Sequence, residues 1–84
     1  MVRIKSCKVK NANAWLFDDF GVEKIVVEHY GTKIAVLCSG TLEVYNKGSG
    51  ITASDARAIM QATGLRITRK NGGVQCIGAK LERF

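Results

Sequence analysis

Residues 22–45 read VEKIVVEHYGTKIAVLCSGTLEVY, a run rich in β-branched residues from which most of the fold follows. Along its first third, Ile25, Val27 and His29 fall on one face of a strand, opposite Val26 and Glu28. Two short pairs that contain glycine, Gly31-Thr32 and Ser39-Gly40, interrupt the run and are typical of hairpin turns. The run therefore predicts a meander of three antiparallel strands, over residues 22–30, 33–38 and 41–45.

A helix is predicted directly after this meander, where residues 52–64 read TASDARAIMQATG. Thr52 is suited to the N-cap, and Asp55, three positions later, places a negative charge in the first turn. Apolar residues then recur at helical spacing, and Gly64 supplies the left-handed residue that commonly ends a helix.

The flanking segments complete the predicted order of elements. Residues 2–9 have the composition of a strand, although a change of parity within them indicates a bulge or twist. Residues 11–20 lie between an asparagine cap and Gly21, which favours a short helix or a packed loop. Residues 65–70 and 73–81 predict a final hairpin, joined by Asn71-Gly72 as a type I′ turn.

These elements predict one α+β domain over residues 1–84, in the order β-α-β-β-β-α-β-β. We expect a single antiparallel sheet of about five to six strands, with one main helix packed on a face and a short N-terminal helix or loop. At 84 residues the core is thin, which leaves little room for an enclosed small-molecule pocket.

The formal net charge of +6 is unevenly distributed along the chain. Residues 1–10 and residues 65–84 each carry a net charge of +4, whereas residues 11–64 carry −2. The sequence starts without the apolar core of a secretory signal, and no apolar run has the length of a membrane span. Three widely spaced cysteines argue for reduced thiols, so we expect a cytoplasmic protein.

Catalytic and metal-binding patterns are weak in this sequence. Three cysteines and one histidine, without a C-x-x-C element, do not make a zinc site, and we expect no metal or cofactor. Cys38 and His29 fall on neighbouring predicted strands, but the apolar residues before Cys38 disfavour a reactive thiolate. Asp18-Asp19 is better suited to a solvated loop or helix end than to acid–base catalysis. Gly48-Ser49-Gly50 precedes the helix like an anion cradle but lacks the P-loop ending. We expect no enzymatic activity.

The aromatic residues Trp15, Phe17 and Phe20 admit two interpretations. In a chain of this length we expect these side chains to pack in the core, and Trp15 above all. The alternative is that at least one of them is exposed and stacks on bases or anchors a partner.

The basic ends provide the main functional hypothesis, a non-catalytic module that contacts the backbone of DNA or RNA. If the first strand pairs with the final hairpin, the basic side chains line one sheet surface. The predicted contact residues are Arg3, Lys5, Lys8, Arg66, Arg69, Lys70 and Lys80. Sequence specificity would be weak, because the helix offers only Arg57 and Gln61 for reading bases.

A second hypothesis is a small regulator or inhibitor that binds an acidic surface of a larger protein. Compact accessory proteins of phages and mobile elements have a similar size and charge, which is an analogy of size alone. Pairing of edge strands into a homo-oligomer is a further possibility. The segment order and motifs do not match an RRM, a KH domain or a double-stranded RNA-binding domain.

Overall fold

A computed structural model describes residues 2–5, 7–45, 51–70 and 73–83. These residues form eight strands and one helix. In chain order they are β1 (Val2–Arg3), β2 (Ala12–Asp19), β3 (Val22–His29), β4 (Thr32–Cys38), β5 (Thr41–Val44), α1 (Ala53–Thr63), β6 (Arg66–Lys70), β7 (Gly73–Ile77) and β8 (Lys80–Arg83).

Six of the strands form one sheet in the order β1-β2-β3-β4-β5-β8. Neighbouring strands are antiparallel, except that β8 runs parallel to β5. Strands β6 and β7 pair only with each other, as a separate two-stranded sheet. The predicted fold class, α+β with a mostly antiparallel sheet and one packed helix, is confirmed.

The core lies between α1 and one face of the six-stranded sheet. Alanine, valine, isoleucine and leucine side chains make up its buried cluster. The buried residues of α1 are Ala56, Ala58, Ile59 and Ala62. The sheet contributes Ala12, Ala14, Val27, Ile34, Ala35, Leu42 and Val44, and Ile67 closes the core from β6.

The predicted helix limits are confirmed by their capping geometry. The Thr52 hydroxyl accepts from the Asp55 N–H, and the Asp55 carboxylate accepts from the Thr52 N–H, so the two form a capping box. Gly64 has a left-handed backbone, with φ at 75°, and its N–H donates to the Met60 carbonyl. The helix is thus closed at both ends by the residues that the sequence indicated.

The short helix or loop predicted over residues 11–20 is wrong, because this segment is the eight-residue strand β2. Ala12 and Ala14 lie on one face of this strand, and Trp15 and Phe17 lie on the other. Strand β1 pairs along one edge of β2 and β3 along the other, and this tertiary pairing overrides the local helical tendency of alanine and leucine.

Both terminal strands were predicted too long. Only Val2–Arg3 of the first is a strand, and it pairs with β2 rather than with the final hairpin. The hairpin is confirmed at β6 and β7, but β7 ends at Ile77, and residues 80–83 form β8 beside β5. The Asn71-Gly72 turn lies outside the described residues.

A prediction about stability follows from the break between β7 and β8. Gly78 has φ at 108°, and a Cβ there would lie 2.9 Å from the Leu65 Cδ2 atom. We expect Gly78→Ala to lower the free energy of unfolding by about 1–3 kcal/mol. Gly40→Ala is the matched control, since Gly40 has positive φ with open space around it. Urea denaturation should show the larger loss for Gly78→Ala, and equal losses would contradict this account.

Candidate functional site

The predicted contact residues do not form the single basic surface that the sequence suggested. Arg3 and Lys5 are exposed at or just after β1, whereas Lys80 is exposed on β8 at the opposite edge of the sheet. Arg66 and Arg69 are exposed on β6, in the separate hairpin. Because β1 does not pair with the hairpin, the expected continuous surface is wrong; binding by these residues stays a prediction.

A different basic feature brings together residues from three separate parts of the chain. It is a cleft of about 560 Å³, which we call the basic cleft. It is lined by Lys8, Val9, Lys10, His29, Tyr30, Thr52, Ser54, Arg57 and Gln61. Among the predicted contact residues with described side chains, Lys8 alone lines it.

One wall of the basic cleft is the irregular segment after β1, which leaves the sheet and crosses α1. The Cys7 Sγ atom lies 4.0 Å from the Ala58 carbonyl oxygen, and the Lys8 N–H donates to the Gln61 side chain at 2.7 Å. The Ala12 N–H then donates to the Val9 carbonyl at 3.0 Å and returns the chain to β2. These contacts explain why residues 7–10 do not continue β1, and they place Lys8 and Lys10 in the cleft with Arg57.

The charge of the basic cleft is positive and locally uncompensated. Lys8, Lys10 and Arg57 are exposed, and no aspartate or glutamate is among the lining residues. Within the described residues, none of the three makes an ion pair. Lys80, in contrast, lies 4.0 Å from a Glu82 oxygen, and the Arg3 guanidinium donates to Asn13. Three unpaired cations on a concave surface are suited to an anionic ligand.

The opposite wall is formed where β3 ends against the first turn of α1. The His29 Nδ1 atom lies 2.5 Å from the Asp55 carboxylate, and both side chains are mostly buried. The ring of Tyr30 follows, with its centroid 4.5 Å from that of His29. Asp55 therefore joins this wall to the helix cap, because the same carboxylate also accepts from Thr52.

The cysteine and histidine considered as a nucleophilic pair are far apart along their strands. Cys38 is opposite Lys24 at one end of the β3–β4 pair, and His29 is opposite Thr32 at the other end. Cys7 is the cysteine nearest the basic cleft, and burial raises the pKa of its thiol, which disfavours the thiolate. The structure therefore does not bring these residues together for nucleophilic catalysis.

The aromatic residues divide between the two interpretations. Trp15 and Phe17 are half-buried on β2, on the face opposite Ala14, while Phe20 is fully exposed in the β2–β3 turn. Asp18, predicted in a solvated loop or helix end, lies instead at the end of β2, where its carboxylate accepts from the Gly21 N–H of the same turn. The anion cradle considered at Gly48-Ser49-Gly50 lies outside the described residues.

The described residues contain neither a metal-ligand cluster nor a membrane-spanning helix. Across residues 2–5, 7–45, 51–70 and 73–83, no group of three or more histidine, cysteine or acidic residues could hold a metal ion. The only helix in those ranges, α1, has neither the length nor the hydropathy to cross a membrane. Comparisons with protein-family models, with curated proteins and with solved structures find no match for this chain.

Proposed function

We propose that this protein is a small, non-catalytic module that binds the backbone of nucleic acid in its basic cleft. The observation that carries the proposal is the convergence of Lys8, Lys10 and Arg57 on one concave surface without a carboxylate partner. Phosphates bound there release condensed counterions, which is the main source of affinity in backbone recognition. Arg66 and Arg69 are exposed on the separate β6–β7 hairpin and lie outside the cleft.

Weak sequence specificity is part of the proposal. Arg57 and Gln61 are the polar side chains of α1 best suited to reading bases, and both lie in the basic cleft. The Gln61 amide oxygen already accepts from the Lys8 N–H, so part of its hydrogen-bonding capacity is committed to the fold. Contacts with phosphate position a nucleic acid without reading its sequence.

The test is the salt dependence of binding for a variant that lacks the three cations. Lys8→Gln, Lys10→Gln and Arg57→Gln together should lower the slope of log K against log salt by up to about two on single strands. Affinity at fixed salt should fall by about ten- to a hundredfold. Fluorescence anisotropy with labelled DNA and RNA, single-stranded and duplex, measures both quantities.

The matched control removes three cations elsewhere, with Arg66→Gln, Arg69→Gln and Lys80→Gln. Net charge changes equally in the two variants, so only the position of the lost charge differs. The slope should change little in the control. A larger loss in the control would move the contact to the C-terminal hairpin. If the wild-type protein shows no salt-sensitive binding at about 50 mM salt, the proposed function is wrong.

A protein partner with an acidic surface is the second candidate, favoured by exposed apolar residues in the β2–β3 turn region. Phe20 is fully exposed there, and Val22 is about half exposed near it. Exposed aromatic residues are common anchors in protein interfaces. Under this candidate, Phe20→Ala weakens binding of the acidic partner, while nucleic acids do not compete with it.

A further inference from the structure

We propose that the ligand of the basic cleft is a single strand, with one base stacked on the ring of Tyr30 while Lys8, Lys10 and Arg57 hold its phosphates. This inference rests on the proposed function and names its substrate class. It depends on a different residue, so it can fail while backbone binding stands.

The position of Tyr30 provides the first support. Its side chain lines the basic cleft, and the residue is 72% exposed. Proteins that bind single strands combine a positively charged groove with aromatic rings on which bases stack. Tyr30 and the three cations supply both parts of that combination within one cleft.

The anchoring of Tyr30 is the second support. Its backbone N–H donates to the Asn11 carbonyl at 2.9 Å, and its ring contacts the ring of His29. His29 is held in turn by Asp55, which belongs to the capping box of α1. An exposed ring on a fixed support loses little conformational freedom when a base stacks on it.

The backbone of Tyr30 gives a third observation. With Gly31 it forms the two-residue turn between β3 and β4, and its φ is 54°. Asparagine, aspartate or glycine is favoured at this position, and a bulky residue there is strained. Phe20 has the same conformation, with φ at 52°, but it does not line the basic cleft, so the two turns can be compared directly.

A duplex does not suit this arrangement. Its bases are already stacked on each other, and an external ring reaches a base face only when the base leaves the stack. Single strands present their bases freely. The exposed ring of Tyr30 therefore selects single-stranded DNA or RNA over a duplex with the same number of phosphates.

The experiment compares Tyr30→Ala with the wild-type protein on labelled strands of about ten nucleotides, within the usual site size for such proteins. Tyr30→Ala should lower affinity for the single strand by about 5- to 150-fold. The salt slope should stay unchanged, because no cation is removed. Tyr30→Phe should retain binding, since stacking needs the ring and not the hydroxyl.

Two controls separate stacking from other effects. Phe20→Ala removes a fully exposed ring from the equivalent position of the other turn and should leave affinity unchanged. An abasic strand with the same phosphates should bind the wild-type protein as weakly as the normal strand binds Tyr30→Ala. Thermal melting should show all three variants folded, since both side chains are exposed.

The outcomes distinguish this inference from the proposed function. Salt-sensitive binding that is indifferent to Tyr30→Ala and to loss of the bases overturns stacking and leaves backbone binding intact. Tighter binding of the duplex than of the single strand also overturns it. Absence of salt-sensitive binding to every nucleic acid removes both proposals.

Discussion

Leu42→Ala is expected to lower the free energy of unfolding by about 2–5 kcal/mol, a large share of the total for a small domain. Leu42 is fully buried in β5, where it is in register with Leu37 of β4 and Leu81 of β8. Truncation leaves a cavity in the buried core beside β4, β5 and β8. The melting temperature should fall by about 10–30 °C, as measured by circular dichroism.

The control for Leu42→Ala is Ile77→Ala on β7. Ile77 is 65% exposed, so a comparable loss of side-chain volume leaves no internal cavity. We expect a change within about 0.5 kcal/mol there. If both variants lose the same stability, the core does not lie between α1 and the six-stranded sheet.

Asp55→Ala should have the second largest effect, about 2–4 kcal/mol, because one carboxylate serves two structures. It accepts from the Thr52 N–H in the capping box, and it is the partner of the mostly buried His29 ring. Alanine leaves the imidazole without that partner and removes half of the cap. Chemical denaturation measures the loss, and the looser support under Tyr30 should also weaken binding of single strands.

Three variants separate these contributions. The carboxylate uses Oδ2 for the Thr52 N–H and Oδ1 for His29. Asp55→Asn keeps only one oxygen acceptor, so its stability should lie between those of the wild type and Asp55→Ala. Thr52→Ala removes the other half of the cap, at a cost of about 0.5–2 kcal/mol, and leaves His29 paired. His29→Ala keeps the cap but removes the ring beneath Tyr30, so it should weaken binding. If Asp55→Ala lowers the free energy of unfolding no more than Thr52→Ala does, the contact between Asp55 and His29 does not contribute to stability.

The helix and the meander could be predicted because their signals are local. Thr52, Asp55 and Gly64 specify the two ends of α1 through hydrogen bonds within a few residues of each other. The turns of the meander are likewise encoded by adjacent residues, although the β3–β4 turn is Tyr30-Gly31, one position earlier than predicted. Shifting the turn by one residue is what places Tyr30, instead of Gly31, at its first position.

Strand β2 and the basic cleft could not be predicted in the same way, because each depends on partners distant in sequence. An alanine-containing segment becomes a strand only where β1 and β3 are beside it. The cleft needs Lys10 and Arg57 to meet, and this happens because residues 7–10 cross α1. One signal for the cleft was available in the sequence. His29 is separated from Ile25 and Val27 by an even number of positions, so its side chain lies on the same face of β3 as theirs, the face that packs against the helix.

The parallel pairing of β8 with β5 has a consequence for synthesis of the chain. A ribosome releases the meander first, so β5 emerges well before residues 80–83, which complete its second edge. In the sequence, α1 and the β6–β7 hairpin lie between β5 and β8. The β5–β8 pair therefore joins the residues with the largest sequence separation of any strand pair in the sheet. Until it closes, the edge of β5 presents unpaired N–H and C=O groups to other nascent chains. Crowded polysomes are therefore the setting in which this domain is most exposed to strand-to-strand aggregation.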